Sequence, residues 1–333
     1  MKQYLIWLTA LVAIVIVNFG LIPFLPPYYY SILIYSGVNI ILAVSLNLVN
    51  GFTGQFSIGH AGFMSVGAYL SAYISIMITK DNPDLLANPV TANLIFLVSL
   101  IAGGAGSAII GYFVGLPSLR LRGDYLAIVT LGFGEIIRVM ILNIDAIGGA
   151  RGFTGIPLLS NFLWVYIAVL FTLFFIWRLV NSAHGRTYLS VREDEIAAQS
   201  MGVNTTNAKV QAFVIGAFFA GIAGGLFAHF LLYLNPQTFD FNRSFEIIIM
   251  VVLGGAGSIS GSVVAAIILT VIREALRPIQ EITRIDFRMS IYSLFLIILM
   301  LNRPNGLFGT KEIFNFMSSK MRRLFLGKED TAT

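Results

Sequence analysis

The chain has no cysteine, only three histidines and few charges: Asp, Glu, Lys and Arg make up 11% of its 333 residues. Without cysteine there is no disulfide framework, no thiolate metal site and no cysteine nucleophile. Three histidines are too few for a histidine-rich metal centre. A soluble domain carries about 25% charged residues, so this chain is too apolar to present a water-soluble surface. No stretch fits G-x-x-x-x-G-K-[ST], the loop that cradles nucleotide phosphates, so the chain is not its own ATPase. A net charge of +5 does not point to nucleic acid, because the basic residues are scattered between apolar runs. They read instead as a membrane topology signal.

What is present is hydrophobic residue, 57% of the chain. A hydrocarbon core of ~30 Å takes roughly 20 apolar residues per helix. That ruler predicts an all-α polytopic membrane bundle. Its spans fall near residues 4–24, 31–49, 62–79, 91–116, 124–143, 161–181, 211–234, 245–257, 261–277 and 287–302. The opening "MKQYLIWLTALVAIVIVNFGLIPFL" is too long for a signal-peptide core and lacks a small-x-small cleavage site, so it is expected as an uncleaved first span. The eighth span is short and ends in "LGGAGSISG" (253–261), the composition of a broken or re-entrant helix.

Nine and ten crossings are both compatible with this pattern. The positive-inside rule favours ten, with both termini in the cytoplasm. On that arrangement 13 of the 21 basic residues lie inside. The stretch "REALRPIQEITRIDFR" (273–288) then puts four arginines on the other side, against the rule. Residues 1–310 are expected to form one membrane domain, and 311–333 a basic tail, amphipathic or disordered on the cytoplasmic membrane surface.

Two glycine motifs echo each other. "GFTGQFSIG" (51–59) and "GGAGSISG" (254–261) both follow an apolar run and open another. An internal repeat of the transporter kind would produce this, and so would chance among 32 glycines. Small residues recur every four positions at Gly216, Ala220, Gly224 and Ala228, and again at Gly103, Ser107, Gly111 and Gly115. That spacing lets helix backbones approach closely in lipid.

Polar groups at membrane depth are costly and often functional. Gln55, Ser57 and His60 sit in the glycine-rich link after the second span. Backbone dipoles there could meet a substrate carboxylate. Asp124 opens the fifth span, where a carboxylate caps a helix and complements its dipole. Glu135 and Arg138 are three apart and share a helix face, which suits a structural pair more than a substrate contact. A candidate pathway is therefore Gly51, Gly54, Gln55, Ser57, Gly59, His60, Asp124, Glu135, Gly254 and Gly257.

One polar island interrupts the apolar runs: "SVREDEIAAQSMGVNTTNAKV" (190–210). Ser190 and Glu193 have the form of a capping box. Glu193, Asp194 and Glu195 suit a first turn, where the dipole favours anions. Gly202 suits the position just past a helix end. The pattern predicts one short helix near 191–201, with Asn204, Thr205 and Thr206 as caps for the next. So short a helix is marginal alone, so it is either docked against something or part of a solvated loop.

Here a family resemblance enters. "EIAAQSMGVN" resembles the EAA motif of ABC-importer permeases, with Glu195, Ala197, Ala198 and Gly202 in the motif's places and one residue inserted before the alanine pair. "LNLVNGFTGQFSIGHAGFMSVGAYLSA" (46–72), "LPSLRLRGDYLAIVTLGFGEIIRVMILN" (116–143), "GGARGFTGIP" (148–157) and "RPNGLFG" (303–309) extend the likeness to the LivM-type permeases of branched-chain amino-acid ABC importers. Thr154 stands where the family more often has Ser.

The resemblance implies an inner-membrane permease with the ABC importer fold. Its partners would be a second, LivH-type permease, two cytoplasmic ATPase subunits that use ATP and Mg²⁺, and an extracytoplasmic amino-acid-binding protein. The loop at about 183–210 would be the coupling loop, with Glu193, Glu195, Ala197, Ala198 and Gly202 facing the ATPases. This chain would hold no cofactor itself. Urea permeases share these motifs, which leaves urea or a short amide as a rival cargo. An ion-coupled secondary transporter is the rival of a different class, and would need no ATPase.

Overall fold

A computed structural model describes residues 2–80, 82–121, 123–276, 293–294, 297 and 306–309 of the chain. Most of the expected tenth span, the basic tail and most of the arginine-rich stretch 273–288 lie outside these residues.

Among the described residues, seven helices are long and apolar enough to cross a membrane. They are α1 (Lys2–Gly20, extended by a short turn to Phe24), α2 (Pro27–Asn47), α3 (His60–Lys80), α4 (Pro89–Ser118), α5 (Asp124–Leu142), α6 (Phe162–Val180) and α9 (Thr205–Leu231). Two short helices, α7 (Ala183–Glu193) and α8 (Glu195–Ser200), precede α9. α10 (Phe241–Gly254) and α11 (Ile259–Ala275) follow it. At 1.5 Å per residue α10 is about 21 Å long, short of a full crossing. The eighth expected span is therefore a broken helix.

Close backbone packing of α3, α4 and α9 organises the centre. In lipid there is little hydrophobic drive between helices, so small residues that permit contact dominate. Gly67 of α3 lies directly against the backbone of Gly221 in α9, and Gly103 of α4 packs on the Gly67 carbonyl. Ser107 donates to the Phe63 carbonyl at 2.9 Å. Gly224 abuts the Met64 carbonyl. Both small-residue rows expected from the sequence serve this triple contact. α9 is buried over most of its length between Ala212 and His229, and His229 near its end bridges the Gly225 carbonyl (2.8 Å) and Ser75 of α3 (2.9 Å).

α2, α10 and α11 form a second packed group. Asn39 of α2 donates to Thr270 of α11 at 2.8 Å. α1 lies outside on α6, where Trp7 meets Phe174 edge-on with ring centres 5.4 Å apart. The "GGARGFTGIP" loop is tied to the chain after α9 by paired backbone bonds between Phe153 and Leu234.

The charged island departs from expectation. A single helix over 191–201 does not form. Ser190 lies inside α7 and its hydroxyl donates back to the Thr187 carbonyl at 2.8 Å, so there is no Ser190–Glu193 capping box. Asp194 is the cap instead. Its backbone is extended (φ −153°, ψ 109°), and its Oδ1 accepts from the Ile196 and Ala197 amides at 2.9 and 3.0 Å. A cap needs non-helical backbone, so the best acceptor in the run splits it into two helices. Glu193 ends α7, and only Glu195 sits in the first turn of α8.

Candidate functional site

α8 is six residues long and closed at both ends. Gly202 follows it at φ +85°. The Gly202 amide donates to Gln199 (3.0 Å) and the Val203 amide to Ala198 (3.1 Å), the two-bond closure that a left-handed glycine permits. Asn204 then caps α9 by accepting from the Asn207 amide at 2.9 Å. α8 is held to the bundle by Ala198, which is buried, and by an ion pair between Glu195 Oε1 and Lys209 Nζ at 2.7 Å. Lys209 is only 1% exposed. On the outward face Ala197 is exposed, and Ile196 and Met201 are 65% and 85% exposed. Glu193 is also exposed, paired with Arg192 at 2.6 Å. Tyr188 of α7 is enclosed below, and burial pushes its phenol pKa up.

Arg192 carries this face to the two glycine motifs. Its Nη1 donates to the Gly51 carbonyl at 3.2 Å, and its side chain packs over Gly54 and Gly257. Gly54 and Gly257, each fourth in its motif, have positive φ of 69° and 94°. Both motifs therefore end one helix and start another through a left-handed glycine. The π-helical turn Leu48–Phe52 ends α2, and such turns mark functional sites. Gly51 lies against the Gly257 amide. Asn47 clamps the junction: its Oδ1 accepts from Gly257 N (2.9 Å) and its Nδ2 donates to the Ser258 carbonyl (2.8 Å). Leu307 N donates to the Leu253 carbonyl at 2.7 Å, so part of "RPNGLFG" closes the end of α10 beside Gly254.

Of the ten expected pathway residues, Gly51, Gly54, Gly254 and Gly257 thus gather at one junction. Gln55 and Ser57 stay in the adjoining link, bonded to Thr53 and Asn50. Gly59 packs on the Thr130 carbonyl, and His60 is buried with its Nε2 2.8 Å from Ser45 Oγ. Asp124 and Glu135 lie on α5, away from the junction. Asp124 is exposed in the first turn and Glu135 pairs with Arg138 at 2.7 Å. Neither makes a hydrogen bond or ion pair to the glycine junction.

Sequence reasoning missed Arg192 as an anchor, Asn47, Lys209 and Glu246. Glu246 is buried and ion-paired to Arg243 (2.8 Å) and Arg273 (2.7 Å). Its signal was available. Arg243 and Glu246 are three apart, the spacing that marked Glu135 and Arg138. The pair went unseen because Arg243 fell just outside the expected eighth span. This triad also accounts for Arg273, one of the four arginines that stood against the positive-inside rule.

The family model described as "Branched-chain amino acid transport system / permease component" matches residues 28–302. The chain is 36% identical over 305 residues to the high-affinity branched-chain amino acid transport system permease protein LivM of Salmonella typhimurium, covering 81% of this chain and 67% of the relative. It is 25% identical over 324 residues to the probable branched-chain amino acid transport permease protein LivM of Methanocaldococcus jannaschii, covering 85% and 93%. It is 26% identical over 307 residues to the LivH permease protein of Escherichia coli K12, covering 86% and 97%. No solved structure matches the chain. A capped helix on an exposed polar face, a bundle of apolar spans and a match over most of the length agree: the chain belongs to the family of permease components of branched-chain amino acid transport systems.

Proposed function

We propose that this chain is one of two homologous permeases in an ATP-driven importer for leucine, isoleucine or valine, in the cell membrane of a bacterium or archaeon. Its partners are a LivH-type permease, two cytoplasmic ATPase subunits and an extracytoplasmic binding protein. ATP and Mg²⁺ are used by the ATPases. That relatives of both LivM and LivH type match supports a pair of distinct permeases.

The observation that carries this reading is α8. A six-residue helix is far below the length that is stable in water. It is capped at both ends, tied to α9 by an ion pair and presents Ile196 and Met201 outward. Exposed apolar groups rimmed by charge mark a docking surface. An ATPase groove is the occupant this reading assigns to it. On ATP binding, the ATPases displace α8. Arg192, bonded to Gly51 and packed on Gly257, passes the displacement to the breaks between α2 and α3 and between α10 and α11. The two permeases then open alternately to either side.

Affinity purification of the tagged chain from its native membrane, followed by mass spectrometry, tests this. Two ATPase polypeptides are expected. The double variant Ile196→Glu/Met201→Glu should insert normally and lose them. Recovery of the intact membrane protein with no ATPase would favour an ion-coupled transporter instead.

A further inference from the structure

The end of α10 remote from the glycine junction borders a cavity of about 340 Å³ between α2, α9, α10 and α11. That volume is at the lower end of small-ligand pockets. Tyr35 and Phe227 supply an aromatic wall, while Asn39, Arg243, Glu246 and Arg273 supply the polar one.

The charged groups at the cavity are unequally engaged. Glu246 takes one bond from each of two guanidiniums, so the triad carries one net positive charge. If its only task were to join α10 to α11, apolar side chains would do so at lower desolvation cost. The two arginines differ. Arg243 is 11% exposed and spends its second nitrogen on Asn39 Oδ1 at 2.7 Å. Arg273 is 43% exposed and gives Glu246 one bond, from Nη1. A guanidinium has five donors in a fork that fits a carboxylate. Asp240, whose carboxylate caps α10 and accepts from Asn242, and Glu274 also border the cavity, and their negative charge suits an ammonium.

We propose that this cavity is a binding site for an aliphatic α-amino acid zwitterion on its way through the permease, with Arg273 holding the carboxylate. Asp240 and Glu274 flank the ammonium, and Tyr35 and Phe227 contact the side chain. Glu246 is a positioning residue that orients Arg273. α10 runs from this cavity to Gly254, beside the junction that Arg192 contacts, so a single rigid helix of about 21 Å links cargo site and coupling face. The assignment rests on the amino-acid cargo proposed above.

The test uses the complete transporter in proteoliposomes with its binding protein. Wild-type uptake of tritiated L-leucine is measured first. If the wild type carries urea and not leucine, the cargo reading fails, and this assignment fails with it. If leucine is carried, Arg273→Gln should lower uptake by about tenfold or more while ATP hydrolysis stimulated by the binding protein persists, and Arg273→Lys should recover part of the loss. Because the chain has no cysteine, Thr238→Cys at the cavity rim gives it a single reactive thiol. L-leucine should slow its alkylation by N-ethylmaleimide several-fold, and L-leucinamide, which lacks the carboxylate, should not. This second readout leaves the triad intact and decides the matter if Arg273→Gln does not assemble. Wild-type uptake by Arg273→Gln, or alkylation indifferent to L-leucine, would overturn the site and leave the importer reading standing.

Discussion

Lys209 reaches out of the first turns of α9 to meet Glu195 at 2.7 Å, and this ion pair pins α8 to the bundle. Lys209 is almost wholly enclosed, so its charge depends on that one carboxylate for compensation. Removing one partner of a buried pair costs about 3 kcal/mol or more, whereas replacing both with apolar groups is often neutral. Glu195→Ala should therefore destabilise the protein by about 3 kcal/mol, and Glu195→Ala/Lys209→Met should regain most of it. Denaturant titration of the purified protein reads both. Equal losses in single and double variants would show that the pair does not stabilise the dock.

Gly202 has positive φ, and a Cβ there would meet nothing within 4 Å. Substitution is therefore limited by the backbone and not by space inside this chain. Gly202→Val should cost about 1–2 kcal/mol and loosen α8, lowering uptake per ATP hydrolysed. Gly202→Asn, which tolerates the left-handed region, should stay near the wild type. Coupling ratios in proteoliposomes compare the two. A similar loss with Asn and Val would point to a steric conflict with the partner instead.

Arg192, on α7, bonds the glycine junction through the Gly51 carbonyl. Arg192→Gln keeps a donor but shortens the reach. Uptake should fall at least several-fold while the ATPases still bind and hydrolyse ATP. Parallel loss of ATPase binding would move Arg192 from transmission to docking.

Gly67 and Gly221 meet backbone to backbone, and a Cβ on Gly67 would overlap the Gly221 main chain. No rotamer change relieves such an overlap. Gly67→Ala should therefore reduce folded protein in the membrane far more than Gly132→Ala, where a Cβ meets nothing within 4 Å. Fluorescence-detected size exclusion of both variants checks this. Equal yields would mean that α3 and α9 are not held at this distance.

The apolar runs, the small-residue rows and the left-handed stop at Gly202 were legible because they are local. Hydrophobic length sets span length, four-residue spacing sets one helix face, and glycine is the residue that tolerates positive φ. The short helix was legible too, but its boundary was misplaced. Asp194 and Ser190 both suit a cap, and local preference did not choose between them. The choice came from the packing of α7, which keeps Ser190 helical.

Local patterns in the sequence set a bundle of apolar spans with an acidic, glycine-stopped helix between two of them. Tertiary structure alone decided which distant groups meet. Arg192 and Gly51 are 141 positions apart, Asn47 and Ser258 are 211 apart, and Asn39 and Arg243 are 204 apart. Charges and amides so far apart in sequence have no shared period to reveal them. They find each other because burial at membrane depth leaves each polar group in need of a partner, and the close approach of small-residue faces fixes which partners are within reach.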